Sequence, residues 1–424
     1  MYETNGIEER VILVGIEDEK NELRAKESID ELSQLAKTAG ATEVGRVIQN
    51  REQAHRKHYL GKGKVYELKE LLEETKASGI ICDDELTNTQ QRELGEMLGT
   101  KIMDRTMVIL DIFAKRANTK EGSVQVELAQ LKYGLAHLAG RGIGMSRLGG
   151  GIGTRGPGEK KLEVDRRRIR ERISELKKEL KELEIHRRVM RENRQKNNMT
   201  VISLVGYTNA GKSTLMNTLT EAGVLAEDKL FATLGTTTRK IELTKGENVL
   251  ITDTVGFIQK LPHGLIEAFK ATLEEMRYSD ILVHVVDSSS EIRQEQMQVV
   301  YRTLKEIKCV DKKIITVFNK MDKEVELPLP ADERAETNVR ISALEKEGIN
   351  ELVRSIEEVI KEMRNFVEII VPYTDGNIIN ELHKRCEILK EEHREEGTYI
   401  ELYADEEIEA RIGRYRVRAD DGRI

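Results

Sequence analysis

Gly206-Tyr207-Thr208-Asn209-Ala210-Gly211-Lys212-Ser213 places two glycines, a lysine and a hydroxyl at the spacing G-x-x-x-x-G-K-[ST]. The run Thr200–Val205 before it is strand-like, and Thr214–Leu219 after it is helix-forming. In that strand–loop–helix setting, backbone amides face a phosphate chain at the positive end of the following helix. Lys212 can reach the terminal phosphates, and the Ser213 hydroxyl can ligate Mg²⁺. These eight residues and Thr214 are the candidate phosphate site.

Two further loops follow strand-like runs. Val249–Thr252 ends at Asp253-Thr254-Val255-Gly256, which puts a carboxylate beside the magnesium shell and an amide, that of Gly256, within reach of a γ-phosphate. Ile314–Phe318 ends at Asn319-Lys320-Met321-Asp322. A carboxylate there accepts from both guanine N1–H and the exocyclic amine, a donor pair that adenine lacks, and Ile341-Ser342-Ala343 can meet the base from the other side. A buried carboxylate left without those donors costs several kcal/mol, about enough to reject ATP strongly. The order of P-loop, DxxG, NKxD and SA is that of a GTP-binding domain that hydrolyses GTP to GDP and phosphate.

Two positions bear on the mechanism. Phe257 follows Gly256 where many signalling GTPases carry a water-orienting glutamine, so intrinsic hydrolysis is expected to be slow. Asn209 is either an ordinary loop residue or a helper for K⁺, as asparagine is at this place in related GTPases, where K⁺ offsets transition-state charge. The expected catalytic group is thus Lys212, Thr233, Gly256 and Asn209, with Ser213, Thr233 and Asp253 around Mg²⁺. His263 is a weaker candidate base, because phosphoryl transfer needs positioning more than proton removal.

The chain that must position these residues has 424 residues and a formal net charge of −7. That length suggests roughly two to four domains. Hydrophobic residues at 38% and charged residues at 34% make it too apolar for disorder and too charged for a membrane protein. No apolar run approaches the ~18 residues of a membrane span, and the acidic start lacks the order of a secretory signal. Three scattered cysteines (Cys82, Cys309, Cys386) suit a reducing, cytoplasmic setting and offer no metal cluster.

Residues 1–118 alternate strand-like and helix-like patterns and read as a small α/β domain: strands at Val11–Gly15, Val44–Ile48, Gly79–Cys82 and Ile102–Phe113, helices at Leu23–Ala39, Val65–Lys76 and Thr89–Leu98. Gly61-Lys62-Gly63 reads as a turn. In 119–198, Val124, Leu128, Leu131, Leu135 and Leu138 fall on one helix face, and Ile169, Ile173, Leu176, Leu180 and Leu183 repeat the pattern. Two such seams predict an antiparallel helical hairpin. The GTPase domain is expected over 199–363 and a small α+β appendage of β-α-β type over 364–424, with a strand at Val367–Pro372, a helix at Asn377–Cys386 and strand character in Glu391–Tyr403.

Charge is concentrated in the hairpin. Residues 139–198 carry 18 basic and nine acidic side chains, so this one segment is strongly positive within an acidic protein. The helical part is either a polyanion footprint or a solvated, ion-paired face. The expected tip loop, 139–158, contains nine glycines and three arginines, Arg141, Arg147 and Arg155. Glycine lets backbone approach phosphates closely and arginine supplies charge, so the loop reads as a nucleic-acid contact, with a flexible linker as the alternative.

The chain resembles the HflX-type ribosome-associated GTPases. The resemblance covers about residues 10–365 and rests on GRVIQNR (45–51), YLGKGKVYEL (59–68), DDELTNTQQRELG (83–95), DRTMVILDIFAKRA (104–117), QVELAQLKYGL (125–135), GGGIGTRGPGEKKLEVDRRRIRERI (149–173) and DTVGFIQKLPHGLIEAFKATLEE (253–275). It implies an N-terminal α/β and hairpin unit that docks on the large ribosomal subunit and its RNA under control of GTP and GDP, with a role in rescuing or splitting stalled ribosomes under stress and hydrolysis stimulated by ribosomes. The protein is expected to be a monomer. A binding switch with little turnover and a ribosome-assembly or RNA-modification GTPase are the alternatives. Ala136-His137, Leu148, Lys160-Lys161 and, in switch I, Gly235-Thr236 depart from the family pattern. Thr233 aligns as the Mg²⁺-contacting threonine of switch I.

Overall fold

The computed structural model describes residues 9–17, 22–137, 157–196, 199–220, 231, 237–244, 247–260, 273–309, 311–324, 328–404 and 406–417. Among them are three separate sheets.

The first sheet is parallel throughout, in the order β2-β1-β3-β4: β1 (Glu9–Glu17), β2 (Ala41–Asn50), β3 (Gly79–Cys82) and β4 (Lys101–Asp104). β1 lies inside the sheet, and Val11–Val14 are buried on both its faces, which is why it reads as a continuous apolar run rather than an alternating one. Helices α1 (Glu22–Ala39), α2 (Lys62–Thr75) and α3 (Asn88–Leu98) connect the strands. Thr87 starts α3 with a reciprocal capping box to Gln90. The expected strand over Ile102–Phe113 is corrected here. Only four residues pair as β4, because the Asp104 carboxylate accepts from Met107 N at 2.9 Å and caps α4 (Arg105–Arg116). The apolar run continues through α4 because its Val108, Ile109, Ile112 and Phe113 face the core.

α5 (Lys120–His137) and α6 (Pro157–Lys196) pack as the antiparallel pair that the two seams predict. Val124, Leu128 and Leu176 form its buried seam, with Leu131, Ile173 and Leu180 against it. The ion pairs Lys120–Glu179 (3.0 Å) and Arg172–Glu127 (2.7 Å) run in the antiparallel sense. At 40 residues α6 is about 60 Å long, far longer than its partner.

The second sheet has the order β10-β9-β8-β5-β7-β6 and is parallel except at the β6 edge. Its strands are β5 (Val201–Gly206), β6 (Thr237–Glu242), β7 (Asn248–Asp253), β8 (Ile281–Asp287), β9 (Lys313–Asn319) and β10 (Thr337–Arg340). Helices α7 (Lys212–Thr220), α8 (Arg293–Glu306) and α9 (Ile349–Glu362) cover it. The protein is thus of mixed α/β class with a P-loop unit built on a mainly parallel sheet. The loops after β5, β7 and β9 leave the carboxyl ends of parallel strands at one edge of the sheet, where open α/β sheets bind ligands.

The third sheet is antiparallel, β11-β13-β12, with β11 (Asn365–Val371), β12 (Glu387–Arg394) and β13 (Gly397–Ala404). α10 (Gly376–Arg385) and α11 (Glu406–Ile412) pack on it. The expected β-α-β appendage is corrected to β-α-β-β-α: the run Glu391–Tyr403 contains a hairpin turn at Glu395-Glu396, and Gly397 enters β13 at φ +146 with Val371 O only 2.3 Å from where a Cβ would sit.

No helix among the described residues is long and apolar enough to cross a membrane.

Candidate nucleotide site

β5 delivers the chain to Gly206, whose φ of +155 and contact with Val285 O, 2.3 Å from a would-be Cβ, admit only glycine. Asn209 adopts φ +61 in the loop, and Gly211 turns the chain into α7 at φ +95. Lys212 begins that helix. Its side chain is buried, and Nζ donates to Gly206 O (3.1 Å) and Tyr207 O (2.8 Å). Burial lowers its pKa to about 8, with partial compensation from Asp253. A phosphate chain in the loop would restore the charged form, so the lysine is set to respond to an anion. Thr214 follows in the first turn of α7, half-buried.

Ser213 Oγ donates to Asp253 Oδ2 at 2.8 Å, joining the loop to the end of β7. Two hard oxygens from a hydroxyl and a carboxylate side by side are the donor set that Mg²⁺ takes together with phosphate oxygens. The third expected ligand, Thr233, lies outside the described residues, as do Gly235-Thr236 and His263. Gly256 packs on the loop: a Cβ there would lie 2.8 Å from Thr208 Cα and 3.0 Å from Lys212 Nζ. Phe257 is buried, and its backbone bridges the loop in both directions, donating from N to Gly206 O (3.1 Å) and accepting at O from Thr208 N (2.7 Å). Its ring belongs to the apolar core with Val205 and Leu282, so this side chain orients no water.

The base-side residues converge from three loops. Asn319 Nδ2 donates to Ala210 O at 2.9 Å, and its Oδ1 accepts from Ala343 N at 2.9 Å. One buried side chain thus ties the P-loop to the Ser342-Ala343 loop. Asp322 Oδ1 accepts from Ser342 Oγ at 2.6 Å, which fixes the carboxylate that would read the base. Lys320, at φ +65, pairs with Asp287 at 2.7 Å across the end of β8.

Some contributors escape sequence reasoning. Thr218 Oγ1, nearly two turns into α7, donates to Ala343 O at 2.8 Å. Asp332, in no motif, accepts from Thr316 Oγ1 (2.6 Å) and from the Tyr301 hydroxyl, and His284 Nδ1 lies 3.9 Å away. Burial pushes this carboxyl up, but the contacts with His284, Thr316 and Tyr301 outweigh it and hold the group well below the usual carboxylate range. The cluster anchors the chain between the Asp322 loop and β10. Tyr207 departs from a simple phosphate-loop role: its ring is buried among residues of the first sheet's core, with Ile29, Val108 and Ile109. The loop expected to touch RNA, with Arg141, Arg147 and Arg155, lies outside the described residues except for its end, which the structure gives as the start of α6. Gly61-Lys62-Gly63 is the turn into α2, with Gly61 N donating to Gln49 Oε1 at 2.7 Å. Of the family departures, His137 stacks on Tyr133 of its own helix with ring centroids 4.0 Å apart and places Nε2 3.2 Å from Leu86 O, and Asn88 Nδ2 donates to Ala136 O at 2.7 Å, so both residues dock the end of α5 on the segment around the start of α3.

Three family models match the chain: "GTP-binding GTPase N-terminal" over 26–114, "GTP-binding GTPase Middle Region" over 116–194 and "50S ribosome-binding GTPase" over 201–320. The GTPase HflX of Lacrimispora saccharolytica is 53% identical over 414 residues, covering 97% of each chain. That of Escherichia coli K12 is 39% identical over 375 residues, 88% of each. A solved structure described as SsGBP with GDP is 25% identical with a TM-score of 0.47, covering 83% of this chain and 99% of that one.

Proposed function

The chain belongs to the HflX family of GTPases, and from that premise we propose that it engages the large ribosomal subunit in its GTP-bound form, rescues or splits stalled ribosomes in the cytoplasm, and hydrolyses GTP slowly until the subunit stimulates it. The observation that carries the nucleotide half is the single network Ala210–Asn319–Ala343 with Asp322–Ser342, which joins the phosphate-side and base-side loops. The ribosomal half is supported by the positive segment 139–198 and by the matching model that is named for 50S binding. The division into units at 118, 198 and 363 is proposed with it. The protein is proposed to act as a monomer.

Each residue has a defined task in this reading. The backbone of Gly206–Ser213 wraps the phosphates, and Lys212 holds the terminal ones. Asp322 and Ser342 read the guanine edge while Asn319 keeps their loops in register with the P-loop. Lys320 and Ala343 complete the base pocket. Ser213, Thr233 and Asp253 would hold Mg²⁺, which when bound would offset the charge of the phosphates. Gly256 N–H meets the γ-phosphate. Phe257, in place of a glutamine, orients no attacking water, and Asn209 is proposed to help hold K⁺ at the phosphates.

Multiple-turnover phosphate release checks this directly. We expect a slow basal rate, faster in KCl than in NaCl at equal ionic strength, with the difference erased in Asn209→Ala and the rate raised at least tenfold by large subunits. Equal rates in both salts would remove K⁺ from the mechanism. No stimulation by large subunits would leave a nucleotide-binding switch with little turnover.

A further inference from the structure

We propose that Arg105, with Glu31 and Asp83 of the first sheet's layer, is a positioning residue for GTP: it holds the segment Gln259–Lys260 so that Gly256 stays where a γ-phosphate would meet it. The proposal rests on the nucleotide site and not on the ribosomal reading.

Arg105 is 1% exposed, so its charge requires partners. Nη1 lies 2.7 Å from Glu31 Oε2, and Nη2 lies 3.2 Å from Asp83 Oδ1 and donates to Ser28 O at 3.0 Å. One contact crosses to the P-loop unit: Nη1 also donates to Gln259 O at 3.1 Å, 154 residues away in sequence. Two parallel links reinforce it. Glu31 accepts from the Tyr207 hydroxyl, which itself accepts from Gln259 N at 2.8 Å. Lys260 pairs with Asp83 and, at 2.7 Å, with Asp84. Both backbone polar groups of Gln259 are therefore held by a network centred on the first sheet's layer.

Lys260 takes φ +52, a conformation costly for a residue with a Cβ and maintained only where surroundings over-determine it. The two acids supply that constraint. Apolar contacts run alongside: Tyr207, Phe231, Val255 and Ile258 belong to the same buried core as Leu32, Val108 and Phe113, and the Phe113 and Phe231 rings meet edge to face at 4.7 Å. Asp83 remains ionised, since burial pushes its carboxyl up but Arg105 and Lys260 outweigh it.

The direction of the effect follows from Gly256. It abuts Thr208 and Lys212, the side of the loop where a terminal phosphate would lie, and Phe257 is bridged to the same loop. The network thus stabilises an arrangement whose amide serves only a nucleotide with a γ-phosphate. Loosening it should weaken GTP and leave GDP alone. By linkage, GTP must in turn tighten the contact between the two units by the same factor.

The test measures GTP and GDP affinity of the full chain by competition with a fluorescent nucleotide, together with kcat, for Lys260→Met, Glu31→Gln and Arg105→Lys. Lys260 is partly exposed, so its variant is expected to fold even if the Arg105 variant does not. We expect the GTP-to-GDP affinity ratio to fall about fivefold in Lys260→Met and Glu31→Gln, with GDP affinity within twofold of the unsubstituted protein and kcat lowered. A merely structural role would lower both affinities together. An unchanged ratio in both variants, or equal losses for the two nucleotides, would overturn the proposal, whereas failure of the unsubstituted chain to bind either nucleotide would instead fault the site itself.

Discussion

Asp322→Asn is expected to lose GTP affinity by about two to three orders of magnitude and to gain binding of XTP. The carboxylate accepts from Ser342 Oγ at 2.6 Å, a contact that constrains its orientation. Guanine presents N1–H and an exocyclic amine, two donors for two carboxylate oxygens. An asparagine turns one of those oxygens into a donor that confronts the amine. Xanthine carries a carbonyl at that position, and the amide matches it. Competition binding with GTP and XTP measures the exchange. Unaltered GTP affinity with no XTP binding would show that this residue does not read the base.

The second large effect is expected at the hairpin tip. Replacing Arg141, Arg147 and Arg155 together by alanine should lower affinity for the large subunit by at least tenfold. It should also flatten the dependence of log affinity on log salt, by about one for each phosphate left without its arginine. GTP affinity of the free protein should hardly change, because the P-loop begins about fifty residues later, at the end of β5 in the second sheet. Subunit cosedimentation across a salt series separates the two quantities. Undiminished binding with the original slope would assign the contact to the basic helix α6.

Much of this site was legible in the sequence because its chemistry needs fixed residue types at fixed spacing. Gly206, Gly211 and Lys212 cannot be exchanged without losing a backbone conformation or a charge, and Asn319 and Asp322 follow a strand whose apolar run marks its end. Strand–helix boundaries were less legible. The run from Ile102 to Phe113 is apolar whether it pairs or coils, and the Asp104 cap that decides the matter is visible only when its carboxylate is seen to accept from Met107 N. Glu391–Tyr403 conceals a turn because Glu395-Glu396 carries no proline or asparagine to announce it, and Gly397 alone is a weak signal.

Contacts between distant segments left no local trace at all. Asp332 sits in a polar stretch that resembles an ordinary surface loop, although three side chains converge on it. Tyr207 looks like one variable position of the P-loop, yet its hydroxyl meets Glu31, 176 residues earlier. Arg105 at the start of an apolar helix resembles a solvated charge until its burial is known. Spacing rules describe groups that act on one ligand from neighbouring loops, whereas these residues act by joining separate layers.

The central claim is that the GTP-bound form, and not the GDP-bound form, holds the large ribosomal subunit. Cosedimentation of the full chain with separated subunits, in a non-hydrolysable GTP analogue and in GDP at one salt concentration, tests it most directly. We predict binding to the large subunit at least tenfold tighter in the analogue than in GDP, with little binding to the small subunit in either. Equal binding in the two nucleotides, a preference for the small subunit, or association only with precursor particles would contradict it.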